Sequence, residues 1–522
     1  MALSLHFDLS KVSWYAVVAA TACAAILLFA GHVIYAVYFH PLASHPGPFL
    51  AKCTSWYAAY QSYTGNIHLD IANCHAKYGD VVRYRPNGLL FNSVEGLQDI
   101  YVSSAKTQKS FGYYSFRPDG QVSIINAITK DEHAPRRRLL SRAFSIAALQ
   151  KYEDVILKTA ESFCSVLLNC NESAQYVTPR TSSHDIGELS SYFTFDVMSN
   201  VAIYTPQDLL HQSHGRSIVH AIDSGVFLTG VAVEQHLLAK FDFLNKLFFR
   251  DHMNKVIRYR RQATDFAAKR IVLGKTQHIE DIFGSLMGDG NGLQGLSPAE
   301  LAADASVMII AGTDTSSVAI SAFFFYLARH PGAYKALAAE IRNTFHCVEE
   351  IRPGPKLNDC KYLRACIDES MRLAPPVAAP LWREMMHQDI IAGVVLPKGT
   401  NVATCAYSMH RNPAYFTEPN SFKPERWLID SESSNQGDLA KRAFAPFSLG
   451  SRGCIGKNLA YMEMSQLLAL IMYKADWKLP AGALGRVGES NIEDGRVDYE
   501  IKSHFTSQKT GPYIEFTPRK LG

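Results

Sequence analysis

A long uncharged stretch near the N-terminus limits what this chain can fold into. Between Lys11 and Lys52 there is no lysine, arginine, aspartate or glutamate, and the run from Trp14 to Tyr38 is almost wholly apolar. A helix of about 20 apolar residues spans a bilayer core, and the aromatic residues at both ends of the run suit the membrane–water interfaces. A cleaved signal peptide is the alternative. It is disfavoured because the run is long and no basic segment precedes it.

The chain is therefore expected to divide into a membrane part and one large domain. Pro41 and the run Pro46-Gly47-Pro48 cannot continue a helix and predict a stiff connection after the apolar segment. The predicted segments are a short N-terminus at 1–12, a transmembrane anchor at 13–38, a proline-rich linker at 39–60 and a catalytic domain at 61–522.

Composition excludes several classes of function. The 522 residues carry a net charge of only +4, and no basic block with interleaved aromatic residues occurs, so a nucleic-acid partner is not expected. None of the ten cysteines forms a Cys-x-x-Cys pair, which disfavours a zinc ribbon or a dense disulfide framework. Reduced thiols facing the cytosol fit this pattern best.

Most of the domain has a helical pattern, with strands confined to short stretches. The turn Pro86-Asn87-Gly88 between Val81–Arg85 and Leu89–Asn92 predicts a β-hairpin. A second strand-rich stretch covers Ile390–Ala406. The predicted fold class is mainly α with small β-sheets.

One predicted helix is exceptionally long and carries polar residues at its centre. Ser297 and Glu300 form a capping-box pattern with a proline between them, and the helical pattern runs to Arg329. Its middle is Ala-Gly-Thr-Asp-Thr, ending at Thr315. An acid and a hydroxyl in an apolar helix are costly unless they have a function. The alternative is a packing notch for a crossing helix.

A single cysteine, Cys454, lies in a glycine-rich loop that precedes another predicted helix, Lys457–Leu470. Glycines allow backbone N–H groups to approach the sulfur, and the N-terminus of the following helix favours a thiolate. The loop predicts a thiolate ligand for a metal. A structural cysteine in a tight turn is the alternative.

The loop pattern Phe-x-x-Gly-x-Arg-x-Cys-x-Gly resembles the haem-binding loop of the cytochrome P450 superfamily. The resemblance implies the cytochrome P450 fold, with its long central helix, and haem b whose iron is bound by the thiolate of Cys454. It also implies cofactor contacts from Phe447, Gly450, Arg452 and Gly456.

Other motifs resemble the same superfamily in the same order. The centre of the long helix is similar to its oxygen-activation motif, which implies that Gly312 leaves room for dioxygen, that Thr315 hydrogen-bonds the bound oxygen and that Asp314 connects to a proton supply. The pair Glu369 and Arg372 is similar to the Glu-x-x-Arg motif, with Arg426 as the second arginine of a structural cluster.

The resemblance also implies residues that bind the haem propionates and the substrate. Arg383 matches the arginine after the Glu-x-x-Arg helix. Arg137 matches a Trp-x-x-x-Arg motif in which His133 replaces the tryptophan, so His133 either bonds a propionate or is a surface residue. The implied substrate-cavity residues are Val307, Ala311, Gly312, Val377, Ala378, Ala379 and Phe505.

The chain looks most like microsomal enzymes of filamentous-fungal secondary metabolism. This implies a single-pass protein of the endoplasmic reticulum with a luminal N-terminus and a cytosolic catalytic domain. It would hydroxylate or epoxidise a hydrophobic terpenoid, polyketide or alkaloid intermediate. The implied electron donor is NADPH–cytochrome P450 reductase, with cytochrome b5 as a further candidate. The alternatives are desaturation, ring formation, oxidative coupling, aromatic or xenobiotic hydroxylation, and a non-catalytic haem carrier or sensor.

Five basic residues are candidates for a reductase-docking face: Arg136, Arg138, Arg142, Arg442 and Lys457. An ordinary solvated surface is the alternative. A glycosylation sequon at Asn171 is expected to stay unmodified on a cytosolic domain.

Overall fold

A computed structural model describes residues 14–103, 105–117, 120–168, 183–274, 281–287, 296–428, 435–491 and 497–520. The sequon at Asn171 and the predicted N-terminal segment 1–12 lie outside these ranges. The α-helices are α1 Trp14–Ile34, α2 Phe49–Cys53, α3 Trp56–Thr64, α4 Ile67–Tyr78, α5 Val94–Tyr101, α6 Lys130–Ala143, α7 Ile146–Leu167, α8 Ile186–Ile203, α9 Ser217–Glu234, α10 His236–Lys240, α11 Asp242–Phe248, α12 Arg250–Gly274, α13 Ile282–Met287, α14 Pro298–Arg329, α15 Pro331–Thr344, α16 Pro355–Asn358, α17 Lys361–Leu373, α18 Ala406–Met409, α19 Asn435–Ala443 and α20 Lys457–Lys474.

The strands are short and form small sheets around the helices, as the sequence predicts. They are β1 Val81–Arg85, β2 Gly88–Phe91, β3 Thr107–Lys109, β4 Ser183–Asp185, β5 Arg383–Met385, β6 Asp389–Ile391, β7 Val394–Leu396, β8 Asn401–Ala403, β9 Ala475–Lys478, β10 Glu489–Asn491, β11 Val497–Tyr499, β12 Ile501–Ser503, β13 Ser507–Lys509 and β14 Tyr513–Pro518.

The predicted hairpin at Pro86–Gly88 is confirmed: β1 and β2 pair antiparallel and start a five-stranded sheet in the order β1-β2-β8-β5-β3. Within this sheet only β2 and β8 run parallel. Strand β14 pairs with β4 and β9, and three two-stranded ribbons complete the strands of the described chain. The class, mainly α with small sheets, is as predicted.

The N-terminal apolar segment is a helix that stands out from the domain. Residues Trp14–Phe39 form a continuous span, α1 followed by a π-helical turn, with a mean hydropathy of 2.3 and no part of its most apolar stretch buried. Its end is fastened to the domain, because the buried guanidinium of Arg83 donates to Ala36 O at 2.7 Å. The other two described spans long and apolar enough to cross a membrane, Ser213–Glu234 and Pro298–Arg329, are mostly buried and serve the core.

The predicted linker 39–60 is ordered. It contains α2 and the start of α3, and the amide of Arg83 donates to Pro46 O at 2.7 Å. Gly47 allows this approach, since a Cβ there would lie 2.2 Å from Arg83 O. The segment after the prolines is thus packed against β1.

Helix α14 is the centre of the domain. Its capping box at Ser297 and Glu300 is present as predicted, and the helix continues to Arg329. It packs along α8 and also contacts α12, α17 and α20. Gly312 faces α8, because a Cβ at this position would lie 2.5 Å from the sulfur of Met198. The packing-notch interpretation therefore describes Gly312.

A buried ion cluster connects α17 to the segment that precedes the cysteine loop. Glu369 and Arg372 are fully buried and form a two-bond pair at 2.9 Å, and Arg426 Nε lies 3.1 Å from the same carboxylate. The indole of Trp427 and the amide of Lys423 also donate to Glu369. Burial works to raise the pKa of Glu369, but the two arginines outweigh it and hold the pKa below its usual value.

Candidate active site

The loop that carries Cys454 is closed by backbone hydrogen bonds. The amide of Cys454 donates to Phe447 O at 2.8 Å, and the amide of Gly453 donates to Gly450 O at 3.0 Å. Gly450 has a φ of +69°, and a Cβ there would lie 2.1 Å from Tyr101 O, so only glycine fits. At Gly456 a Cβ would make ordinary contacts, its nearest neighbour being 3.7 Å away.

The thiol of Cys454 faces an internal cavity of about 280 Å³. The lining includes Ala311 and Thr315 of α14, and Phe447 beside the cysteine. Both Cys454 and Ala311 retain accessible surface because they face this cavity. Burial raises the pKa of the Cys454 thiol, while the backbone N–H groups of Gly456 and Lys457 and the charge of Arg137 act to lower it. A bound metal cation would complete the stabilisation of the thiolate.

Four cationic side chains line the same cavity, Lys109, Arg137, Arg383 and Arg452, together with the histidines His133 and His410. Three of these cations donate to backbone carbonyls. Arg137 donates to Gly453 O at 2.7 Å, Lys109 to Ile125 O at 2.6 Å, and Arg452 to Ile128 O at 2.7 Å. The predicted cofactor-binding arginines are thus brought together around Cys454.

These cations lack a counter-charge in the cavity, since no carboxylate occurs among the described residues that line it. Desolvation and mutual repulsion lower the pKa of Arg452 to about 10 and that of His133 to about 3. The pKa of Lys109 is also well below its usual value for the same reasons. A dicarboxylate ligand would remove this repulsion. Haem, with two propionates and an iron for the thiolate, fits this set of residues.

The metal site rests on Cys454 together with such a ligand. Among the described residues there is no group of three or more His, Cys, Asp or Glu side chains that could hold a metal ion by themselves. A lone thiolate is an incomplete coordination set for iron, whereas a porphyrin supplies four further ligands.

On the opposite side of the cavity, α14 contributes the hydroxyl of Thr315 to the lining, whereas the neighbouring acid, Asp314, is buried. The hydroxyl of Thr315 donates to Ala311 O at 2.7 Å and lines the cavity. Asp314 does not line it: its carboxylate is buried and accepts a hydrogen bond from Thr506. Desolvation raises the pKa of Asp314 to about 6, opposed by the charge of Lys509.

A second cavity of about 520 Å³ adjoins the first, and most of the residues that line it are apolar. Of the predicted substrate-cavity residues, Val307, Ala311, Val377 and Phe505 line both cavities, and Ala379 lines the first. Gly312 and Ala378 line neither, which corrects the prediction for them. Gly312 packs against α8, and Ala378 is fully buried, its carbonyl accepting from the Cys405 thiol at 3.0 Å.

Two features of the site were missed by the sequence analysis. Lys109 on β3 belongs to no motif, and only the sheet brings it beside Arg383 of β5, its register partner. Thr506 and Lys509 approach Asp314 through the fold of the C-terminal ribbon, for which the sequence holds no signal. In addition, Arg136 of the suggested basic face is buried and paired with Asp304 at 2.8 Å, so it cannot serve a docking partner.

Comparison with known proteins agrees with this geometry. Residues 46–486 match the family model of cytochrome P450. The chain is 34% identical over 509 residues to the cytochrome P450 monooxygenase atnE of Emericella nidulans, covering 95% of this chain and 96% of that protein. It is 37% identical over 514 residues to the cytochrome P450 monooxygenase apf7 of Gibberella fujikuroi, covering 93% and 95%. A cytochrome P450 monooxygenase of Penicillium oxalicum, poxM, is 34% identical over 490 residues, covering 93% and 92%.

Proposed function

The chain belongs to the cytochrome P450 family of haem-thiolate monooxygenases, and on this premise we propose that it hydroxylates or epoxidises a hydrophobic intermediate of fungal secondary metabolism. The observation that carries the proposal is the cavity lined by both Cys454 and Thr315, which is ringed by uncompensated cations and shares part of its lining with a larger, mostly apolar cavity. When bound, the haem supplies the activation of dioxygen.

The residues of the chain would divide the work as follows. Cys454 holds the iron, and Arg137, Arg383, Arg452 and His133 hold the propionates, with Lys109 adding a further positive charge. Thr315 presents its hydroxyl over the reacting site, and Asp314 behind it holds a proton. The apolar lining from Val307 and Phe505 excludes water and orients the substrate.

The test of the proposal is a comparison of metabolite extracts from the fungal host with the gene intact and deleted. Mass spectrometry is expected to show a compound that accumulates on deletion and is one oxygen atom lighter than the missing product. A difference of hydrogen atoms alone would replace hydroxylation by desaturation or coupling. An unchanged set of host metabolites would reject the pathway role.

Replacing Thr315 with alanine tests the distal hydroxyl. Because the hydroxyl is needed for proton delivery but not for substrate binding, Thr315→Ala is expected to bind ligands normally while its product per NADPH falls about tenfold or more and peroxide rises. Thr315→Ser should restore most of the coupling. Thr313→Ala is the matched control, since Thr313 is buried on the same helix and lines neither cavity. Equal coupling in Thr315→Ala and Thr313→Ala would contradict the role.

We also propose that the protein is anchored in the endoplasmic reticulum with its domain on the cytosolic side. The span Trp14–Phe39 supports the anchor. A second apolar surface supports close contact with the bilayer. It comprises exposed Trp56, Tyr60 and Tyr63 of α3 and exposed Phe241, Phe243, Leu247 and Phe248 at α11. Its two parts meet where the Tyr63 and Phe249 rings lie 6.3 Å apart.

Hydrogen exchange can test this bilayer contact. Leu238 and Asn245 line the larger cavity directly beneath this surface, so a lipophilic substrate could enter from the membrane. In lipid nanodiscs the amides of α11 are expected to exchange severalfold more slowly than in detergent, whereas those of the solvent-facing side of α12 should not change. The protection should be lost in Phe243→Ser/Leu247→Ser. Protection that persists in this variant would contradict the contact.

An electron-donating reductase is proposed to dock near the cysteine loop. Arg138 and Arg142 lie on α6, Arg442 lies on α19 and Lys457 begins α20, and all four are exposed. Their charges favour an acidic partner. Charge reversal at Arg142 and Lys457 should slow reduction and weaken its dependence on salt. Unaltered salt dependence would favour a solvated surface without a docking role.

A further inference from the structure

The buried carboxylate of Asp314 lies on the side of α14 that faces the C-terminal ribbon. It accepts a hydrogen bond from Thr506, the residue that precedes β13, and it lines neither cavity. Only about 5% of the residue is exposed. Thr506 itself lines the larger cavity, so Asp314 has contact with the cavity through Thr506 and with the ribbon directly.

A lysine on that ribbon lies between α8 and α14. The amine of Lys509 donates to Ser317 Oγ at 2.7 Å and to Ser191 Oγ at 3.0 Å. Ser317 in turn donates to Asp314 O at 2.9 Å. Two of the three N–H bonds of the ammonium thus meet neutral hydroxyls, and the third is available to a carboxylate.

Lys509 interacts electrostatically with acids on three elements. It lowers the pKa of Asp314 on α14 and of Asp223 on α9, each of which burial raises. Asp185, the cap of α8, acts on Lys509 together with these two. Two further cationic side chains, His220 and Lys255, also lower the pKa of Asp223.

Asp223 is the member of this set of charged residues that is in contact with solvent. Its side chain is 42% exposed, and Gln508 donates to its backbone carbonyl at 3.0 Å, which holds the ribbon against α9. A half-exposed acid, a partly buried lysine and a buried acid therefore follow one another from the surface to α14. Burial lowers the pKa of Lys509, and this effect outweighs the three acids, which act to raise it. The proton of Lys509 is therefore easier to release.

We infer that Lys509 is a positioning residue that resupplies Asp314 with protons from Asp223 at the surface. The inference rests on the proposed monooxygenase function. In the transfer, an N–H bond of the ammonium breaks as an O–H bond forms on the Asp314 carboxylate. The neutral amine then takes a proton from the Asp223 carboxyl or from water beside it. Only protons are transferred, and no group is oxidised or reduced. The four-carbon stem of Lys509 allows the amine to exchange its serine partners for either acid.

A purely structural role for Lys509 makes a different prediction. If Lys509 only connected the ribbon to α14, its loss would lower stability. The pKa of Asp314 would then not depend on the charge of Lys509, and the NADPH-driven and hydroperoxide-driven reactions would be affected equally. The variants Lys509→Met and Lys509→Arg separate these roles. Lys502→Met, an exposed lysine on the neighbouring strand β12, is the control.

The first readout is the protonation of Asp314, measured by infrared difference spectra against pH on the full-length haem-loaded protein in nanodiscs. The Asp314 band is identified by its loss in Asp314→Asn. Its midpoint is expected near pH 6 in the native protein and about one pH unit higher in Lys509→Met, since an opposing charge has been removed. Lys509→Arg and Lys502→Met should keep the native midpoint. An unchanged midpoint in Lys509→Met would overturn the inference.

The second readout compares two ways of driving oxidation of styrene, a small probe for epoxidation. With reductase and NADPH, Lys509→Met is expected to form about tenfold less epoxide per NADPH. With cumene hydroperoxide, whose oxygen is already reduced, it should stay within about twofold of the native protein. Equal losses in both reactions, or none, would overturn the inference. If the native protein oxidises styrene in neither reaction, the infrared midpoint decides the inference, and the proposed function is decided separately by the metabolite comparison.

Discussion

Cys454→Ala is expected to abolish the thiolate-ligated haem spectrum and all NADPH-driven oxidation. The closed loop between Phe447 and Cys454 presents one sulfur to the cavity, and no other cysteine lines it among the described residues. Without the sulfur, the iron loses its protein ligand and the electron donation that the thiolate provides. The carbon monoxide difference spectrum of the reduced protein measures this directly.

Cys347→Ala is the matched control for this experiment, because Cys347 is exposed and lies away from the cavity. It should keep both the spectrum and the activity. Circular dichroism establishes that Cys454→Ala remains folded. A folded Cys454→Ala protein that retains the thiolate spectrum would show that another residue binds the iron.

Glu369→Ala is expected to lower the free energy of unfolding by about 3–5 kcal/mol. The substitution leaves Arg372, which is fully buried, without its carboxylate partner, and it also removes the acceptor for Arg426. An uncompensated buried charge is much more costly than the loss of an exposed pair. Chemical denaturation of the full-length protein in detergent, with and without haem, measures the effect.

Asp154→Ala is the control for this second prediction. Asp154 is 72% exposed and pairs with Arg352 at 2.9 Å on the protein surface, where solvent screens the interaction. It should leave stability almost unchanged. Equal stability of Glu369→Ala and Asp154→Ala would mean that Arg372 finds other partners, such as the carbonyl of His410 at 2.8 Å.

The buried ion cluster around Glu369 also makes the stability of the fold depend on pH. The pKa of Glu369 is held below its usual value in the folded protein, so its charge stabilises the fold above the unfolded-state pKa. This contribution is lost as the pH falls through the lower, folded-state pKa. Acid unfolding of the native protein is therefore expected to be steeper than that of Glu369→Gln, which has no such proton to take up.

Local sequence determined several elements of this protein, because each depends on neighbouring residues. The apolar run before Phe39, the capping box at Ser297 and the turn before β2 were predictable from hydrophobicity and hydrogen-bonding preferences that act over a few residues. The glycine-rich loop around Cys454 was likewise visible, and Gly450 is required by its close approach to Tyr101 O.

Only the tertiary structure decided which distant residues meet. Lys109 joins the cavity because β3 pairs with β5, and Lys509 reaches α14 because the ribbon β12–β13 folds back over it. Gly312 carries a packing role because the crossing helix α8 places Met198 against it. Such contacts are set by the packing of elements far apart in the chain, and no local pattern encodes the partner. The chemistry of the cysteine loop was therefore predictable from sequence, whereas the charges that surround it and the route to Asp314 were not.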